Sequence, residues 1–230
     1  TGDYMFLFKF LESQYLDSFF KTGSLRVGTI YNFHDTVTHT AARADTEEGK
    51  QKIIRHVLSP LKITQDSEEP IVSDFFRVRG DGTLTIDGIS FIMPRTSDDA
   101  FIFCTSRVYS HSIFMKWHAD SIKNNACYAI INPRNFFLEI TKVIANSASE
   151  IINKNIVYTT DPILYDSEDA SLHPSITKEK EKYSWQHENR SIWVPKLPPT
   201  KIHPFVVSVP NARQYCIPLS YIENGKIKYY

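Results

Sequence analysis

The segment 182–195, KYSWQHENRSIWVP, holds the densest set of residues that could do chemistry. Side chains alternate between the two faces of a strand, so Gln186, Glu188 and Arg190 would form one polar row. The opposite, core-like face would carry Trp185, His187 and Trp193. Arginine donates in a fixed fork and an amide both donates and accepts, so this row is suited to grip a polar ligand. The alternative is a solvent-facing strand with ordinary surface charges.

Two other predicted strands carry polar residues among apolar ones. Arg26 lies in SLRVGT, and the sequence Cys104-Thr105-Ser106 ends the run FIFCTS. An arginine on an early strand, a hydroxyl-bearing strand end and a later Gln-x-Glu pair resemble the three-part motif of the arginine–serine–glutamate group of mono-ADP-ribosyltransferases. Arg26 matches the arginine, Thr105 and Ser106 match the S-T-S strand, and Gln186-His187-Glu188 matches Gln-x-Glu. Cys104 stands where that motif has its first serine.

This resemblance implies an enzyme that uses NAD as a substrate and transfers ADP-ribose to a macromolecular acceptor, protein or nucleic acid. Cleaving the bond between nicotinamide and ribose passes through an oxocarbenium-like state, which a nearby carboxylate stabilises. Glu188 would be that catalytic carboxylate, and Gln186 would orient the acceptor. Ser106 would position Glu188, with Thr105 beside it, and Arg26 would bind cofactor phosphate or the adenosine side.

The resemblance also implies aromatic contacts and a biological setting. Tyr31 or Trp117 would stack on the nicotinamide ring. Enzymes of this kind act as bacterial toxins or anti-phage defence effectors, which implies a neutralising antitoxin protein as a partner. The segments DTEEG at 45–49 and MKWHAD at 115–120, with the ending W-x-x-E-x-R, are also similar to a broad bacterial family of unknown function.

The elements that must position these residues follow from periodicity. The pattern predicts a strand at 4–10, a helix from residue 11 to Gly23 and a strand at 24–33, followed by a long loop at 34–51. Strand-like pieces between 52 and 94, including DFFRVRG, predict an antiparallel meander. Further on, the sequence predicts strands at 100–106, 126–131 and 156–160, helices at 110–120 and 134–148, and closing strands that include 205–209 and 214–222.

These elements predict an α+β fold. The resembled enzymes have split mixed and antiparallel sheets with peripheral helices, and they bind NAD without a Gly-rich Rossmann turn, which this sequence also lacks. We find no repeat and no low-complexity linker, so residues 1–230 are expected to form a single catalytic domain.

The composition of the chain argues against several classes of function. Lys+Arg and Asp+Glu are both 26, so net charge supplies no attraction to nucleic acid. Three scattered cysteines and no long apolar run predict a cytoplasmic protein without membrane contact. The histidines lack zinc-site spacing, so no metal is expected. Cys104 is expected to be a buried, inert thiol.

The charge run at 178–182 is predicted to be a solvated face. The alternative to an enzyme is a non-catalytic module that binds a protein or nucleic acid. Such a module would use the 34–51 loop and the basic residues Lys178, Lys180 and Lys182.

Overall fold

A computed structural model of the chain describes residues 6–35, 40–196 and 202–230, without the side chains of residues 149 and 150. It begins with β1 (Leu7–Leu11), α1 (Ser13–Thr22) and β2 (Ser24–Thr29), the predicted strand, helix and strand. Gly23 ends α1 with a left-handed φ of 78°, and its N–H donates to the Phe19 carbonyl. A Cβ at this position would lie 2.5 Å from backbone atoms of Pro210, so only glycine fits.

The remaining described helices are short. They are α2 (Val72–Phe75), α3 (His111–Asp120), α4 (Pro133–Ile144) and α5 (Lys180–Tyr183). Ser110 caps α3 by accepting from the Ile113 N–H, and Asn132 caps α4 by accepting from the Asn135 N–H.

Strands make up most of the regular structure. The N-terminal half continues with β3 (Lys50–Val57), β4 (Leu61–Ile63), β5 (Leu84–Ile86), β6 (Ile89–Thr96) and β7 (Phe101–Ser106). The C-terminal half adds β8 (Ala126–Ile130), β9 (Ala148–Asn155), β10 (Val157–Thr159), β11 (Ile163–Leu164), β12 (Thr177–Glu179), β13 (Glu188–Pro195), β14 (Phe205–Ser208), β15 (Cys216–Glu223) and β16 (Lys226–Tyr229).

β7 is the centre of the largest sheet, and its two edges differ. β13 runs antiparallel along one edge, with Glu188 opposite Ser106 and Trp193 opposite Phe101. The other edge is shared: β2 pairs with the start of β7 and β1 pairs with its end at Ser106. β1 and β2 therefore separate beside the middle of β7, and we call this place the split of the sheet.

The other pairings make the architecture mixed. The sheet order is β14-β2-β7-β1-β8-β15-β16, with β13 paired to β7 and β9 paired to β13. Smaller sheets are β11-β3-β6, β4-β5 and β10-β12, in which β11 and β12 run parallel to their partners. The prediction of an α+β fold with antiparallel and mixed sheets is confirmed.

Helices pack on both faces of the large sheet. On one face α1 and α4 bury Leu16, Phe19 and Ile140 against strand residues that include Trp193. On the other, α3 buries Phe114 against β1. A separate cluster around Ile53 and Phe91 lies under the smaller sheets. Burying apolar side chains contributes about 1.5–3 kcal/mol each, so these clusters fix the strands that carry the polar residues.

One predicted strand is absent from the structure, and another begins later than predicted. DFFRVRG forms only the short helix α2, and its remaining residues are irregular. Residues 184–186 form a 3-10 turn, and His187 has a left-handed φ of 45°. The alternation predicted from Trp185 therefore starts only at Glu188, because the turn breaks it. The predicted strand residues 4 and 5 and the loop residues 36–39 lie outside the described residues.

None of the helices in the described part of the chain combines the length and apolar character needed to cross a membrane.

Candidate functional site

Strand register brings three of the predicted site residues to adjacent strands. Glu188, the first residue of β13, lies opposite Ser106 at the end of β7. On β2, pairing with β7 begins at Gly28, opposite Ile102, and Arg26 lies two residues before it. Arg26 is exposed, and its guanidinium donates to Asn32 Oδ1 at 3.0 Å. Ser106 and Glu188 therefore face each other on β7 and β13, whereas Arg26 lies on β2, at the other edge of β7.

Glu188 is the centre of a buried ion network. Its carboxylate accepts from Lys178 Nζ at 3.1 Å and from Arg190 Nε at 2.7 Å, and its side chain is 7% exposed. Arg190 also binds both carboxylate oxygens of Glu48, with Nη2 at 2.7 Å from Oε2. Burial alone would raise the pKa of Glu188, but the charges of Arg190 and Lys178 outweigh it and hold that pKa well below its usual range. Glu188 is therefore ionised.

Lys178 corrects a prediction. The run 178–182 was expected to be a solvated face, yet Lys178 is only 8% exposed, and the ring of Tyr183 lies 4.4 Å from its ammonium group. Lys180 and Lys182 are exposed. Burial of Lys178 becomes favourable because its ammonium pairs with Glu188 and lies 3.4 Å from Gln186 Oε1. The basic surface proposed for a binding module therefore lacks Lys178.

The hydroxyl groups of Ser106 and Thr105 donate hydrogen bonds to backbone carbonyls of the segment 186–189. Ser106 Oγ donates to the Gln186 carbonyl at 2.8 Å, and Thr105 Oγ1 donates to the Asn189 carbonyl at 3.2 Å. Ser106 therefore fixes the turn that leads into Glu188, while the carboxylate itself is held by Lys178 and Arg190.

The segment 40–49 covers this network. Gln186 is buried, and its Nε2 donates to the Ala42 carbonyl at 2.7 Å, while the Tyr183 hydroxyl donates to the Ala44 carbonyl at 2.7 Å. Gly49 ends the segment with φ 75°, and a Cβ there would lie 2.8 Å from Ser97 Oγ. The segment therefore occupies the side from which a ligand would reach Gln186.

The two predicted stacking rings lie in different places. The Tyr31 hydroxyl donates to the Ser97 carbonyl at 2.7 Å, near the start of β7, about 17 Å of strand from the Ser106 end. Trp117 lies in an aromatic cluster on α3, with its ring centroid 5.0 Å from that of Trp185. The structure does not bring Tyr31 next to Glu188.

Residues that the sequence analysis missed complete the site. Glu48 and Lys178 balance the charges of Arg190 and Glu188, and Lys9 donates from Nζ to the Cys104 carbonyl at 2.6 Å. Glu48 belongs to the segment DTEEG, and the similarity of this segment to the bacterial family of unknown function was the sequence signal that pointed to it. Nothing in the sequence marked Lys9, because a single lysine in an aromatic strand has many explanations.

The thiol of Cys104 lies beside this network. Burial, reinforced by the charge of Glu188, raises its pKa to about 12. A thiol with that pKa is protonated at neutral pH and is a poor nucleophile. Among the described residues, no group of three or more His, Cys, Asp or Glu side chains is arranged to hold a metal ion.

Comparison of the chain with protein-family models, with curated proteins and with solved structures found no match. Any function assigned to the site therefore depends on the residues of this chain and their arrangement.

Proposed function

We propose that this protein is an NAD-dependent ADP-ribosyltransferase, of the toxin or anti-phage effector kind, that modifies a macromolecular acceptor. The observation that carries the proposal is the register of three strands. Glu188 lies opposite Ser106 on β13 and β7, and Arg26 lies on β2, which pairs with the other edge of β7. A split sheet with helices outside is also the fold that the motif implies.

The chemistry needs a carboxylate at the point where positive charge develops. The bond between ribose C1′ and the nicotinamide nitrogen breaks, its electron pair goes to nicotinamide, and positive charge grows on the ribose. Glu188 is already ionised, so it can accept a ribose hydroxyl hydrogen bond and stabilise that charge. The acceptor atom then bonds to C1′ and gives its proton to water.

Access to Glu188 requires a movement of the segment 40–49. In the structure this segment accepts a hydrogen bond from Gln186, and Glu48 is bound to Arg190. A substrate that replaced the Ala42 carbonyl as the partner of Gln186 would expose the Gln-x-Glu pair. Lys178 and Arg190 would hold the Glu188 carboxylate in place during that change.

The test is transfer of label from NAD to a cell lysate, with protein and nucleic acid read separately. Wild type should label one fraction, and Glu188→Gln should reduce the rate by about 100-fold or more, as when other charge-stabilising groups are removed. Glu47→Gln is the matched control: it removes an exposed carboxylate next to the network but leaves Glu48 and Glu188, and should keep the activity. Circular dichroism must show that both variants are folded. Absence of label with wild type, or equal label with Glu188→Gln, contradicts the proposal.

One observation favours a second candidate, a non-catalytic binding module. Glu188 has all its charge satisfied by Lys178 and Arg190, as in a purely structural ion cluster. In that case NAD does not bind, and a partner binds with strong salt dependence through exposed basic residues such as Lys180 and Lys182. Charge removal by Lys180→Gln and Lys182→Gln should then weaken partner binding and reduce its salt dependence.

A further inference from the structure

A cavity of about 230 Å³ lies where the small sheet that contains β6 meets the large sheet. Its walls are formed by residues 95–100, which connect β6 to β7, by His173 and Pro174, and by Val194 of β13. Ligand pockets often lie at junctions of this kind, and those for drug-sized molecules measure about 300–1,000 Å³. The volume therefore fits a small metabolite better than a nucleotide.

Charges of opposite sign line this cavity without pairing with one another. The lining includes Arg95, Asp98 and Asp99. Among the described residues, no carboxylate oxygen lies within 4.0 Å of an Arg95 side-chain nitrogen. Arg95 Nη1 donates to Gln51 Oε1 at 3.2 Å and to the Ala170 carbonyl. Its Nε and Nη2 have no such bond within the described part of the chain and remain in contact with solvent.

The two carboxylates differ in their surroundings. Asp99 is half-buried, and its Oδ1 accepts from the Tyr31 N–H at 2.9 Å, which fixes this carboxylate just before β7. Asp98 is exposed. Asp98 can therefore turn towards a positively charged group, while Asp99 supplies a fixed negative charge next to it.

We propose that this cavity binds a free α-amino acid with a small aliphatic side chain. The ammonium group of the ligand would lie against Asp98 and Asp99. Its carboxylate would accept from Nε and Nη2 of Arg95, because a guanidinium edge binds both oxygens of a carboxylate. Apolar lining for the side chain comes from Ala100, Pro174 and Val194. The site does not depend on the proposed transfer reaction.

The walls of the cavity are connected to the buried ion network. Ser97, in one wall, donates from its N–H to the carbonyl of Gly49, the last residue of the segment 40–49, at 2.9 Å. Ser175, directly after the other wall, accepts at its carbonyl from Arg190 Nη1 at 2.5 Å. A ligand that joins the two walls would therefore restrain Gly49 and Arg190 as well. The amino acid would act on the cover of the site as an effector and not as a substrate.

The experiment is calorimetric titration of the whole protein at pH 7 with L-valine and with two analogues that each lack one charge, isobutylamine and isovalerate. Wild type should bind L-valine, and each analogue should bind about tenfold or more weakly, because hydrogen bonds to a charged group are lost. Asp98→Asn should weaken binding of L-valine by a similar factor and leave binding of isovalerate unchanged. Asp81→Asn, an exposed aspartate before β5, is the matched control and should bind like wild type.

The outcomes keep this site separate from the proposed function. The site is overturned if L-valine, L-alanine and L-leucine all fail to bind at millimolar concentrations, if an analogue binds as tightly as L-valine, or if Asp98→Asn keeps wild-type affinity. Bound L-valine should also slow hydrogen exchange of the Ser97 amide, and unchanged exchange would overturn the link to the network. Binding of L-valine by a protein that transfers no label from NAD keeps the site and rejects the transferase.

Discussion

At the scale of single residues, the charges of the buried network cancel. Two carboxylates, Glu48 and Glu188, face two cations, Lys178 and Arg190, and none of the four is more than 8% exposed. Removing one member of a buried pair typically costs 3–5 kcal/mol, because the other charge is left without water or a partner. The same network therefore stabilises the fold and keeps Glu188 ionised for the proposed chemistry.

The depressed pKa of Glu188 predicts how stability depends on pH. Because the folded-state pKa lies below the ordinary value of 4.5, the contribution of Glu188 to the free energy of unfolding is complete above that pH and declines as pH falls below it. Urea denaturation at pH 7, 5, 4 and 3 should show this decline in wild type and a smaller one in Glu188→Gln. The exposed variant Glu47→Gln should follow wild type. A decline of equal size in Glu188→Gln would contradict the assignment.

The thiols give a second prediction. Burial raises the pKa of Cys104 to about 12 and raises those of Cys127 and Cys216 well above the ordinary value. The folded protein should therefore react very slowly with a disulfide reagent at pH 8, while all three thiols should react in urea. Rapid reaction of one thiol in the native protein would show that its surroundings are open to solvent.

The sequence predicted residue types at the site better than their surroundings. Glu188, Gln186, Ser106 and Arg26 could be named from short motifs, and strand register places Glu188 opposite Ser106, with Arg26 on a strand at the other edge of β7. The burial of Lys178 could not be predicted, because a Lys-Glu repeat looks solvated unless a distant carboxylate is known to face it. Pairings of this kind depend on tertiary contacts that local patterns do not contain.

At the scale of elements, the segment 40–49 decides access to the site. Asp120 at the end of α3 anchors its start: one carboxylate oxygen accepts from the Thr40 hydroxyl, and the other accepts from the Ala42 N–H at 3.0 Å. Ala42 in turn accepts from Gln186. Ala42 therefore carries both the hydrogen bond to Asp120 and the hydrogen bond to Gln186.

This arrangement predicts the effect of Asp120→Ala. Losing two hydrogen bonds to a carboxylate, each worth about 1.5–3 kcal/mol, should loosen the segment locally. Hydrogen exchange of the amides at 40–45 should accelerate by at least about tenfold, while the amides of β8 should not change. Asp17→Ala, an exposed position on α1, is the control. Unchanged exchange at 40–45 would mean that other contacts hold the cover.

Elements with clear periodicity were predictable, whereas turns near the site were not. The regular spacing of apolar residues marked α1, α3 and α4, because each has one face buried in a core. The residues before Glu188 fit a strand pattern, but His187 adopts a left-handed conformation and the chain turns. Side-chain alternation cannot reveal such a turn, since Trp185 packs on Trp117 and so has a core-like character there too.

At the scale of the whole molecule, two of the apolar clusters bear on whether the chain unfolds as one cooperative unit or as two. One cluster contains Ile140 and the other contains Ile53. Bonds that join the parts include Arg190 Nη2 of β13 to Glu48 Oε2, just before β3, at 2.7 Å, and the Tyr31 hydroxyl, just after β2, to the Ser97 carbonyl, just after β6, at 2.7 Å. The expected single domain requires that these links make unfolding cooperative.

The tryptophans provide a test of that expectation, because all three lie outside the Ile53 cluster. Ile53→Ala and Ile140→Ala should each lower the free energy of unfolding by about 2–5 kcal/mol. In a single unit, Ile53→Ala shifts the urea midpoint measured by tryptophan fluorescence as much as the midpoint measured by circular dichroism. A tryptophan midpoint that stays at the wild-type value would divide the chain into two units.

The ion pair between Glu48 and Arg190 has a consequence for synthesis on the ribosome. Its partners are 142 residues apart, and Lys178 and Glu188 also belong to the late part of the chain. At a synthesis rate of about 5–20 residues per second, Arg190 is made on the order of ten seconds after Glu48. During that time its carboxylate is hydrated, and Ala42 has no Gln186 to bind. The cover of the site therefore forms only after the chain has been translated at least as far as Arg190.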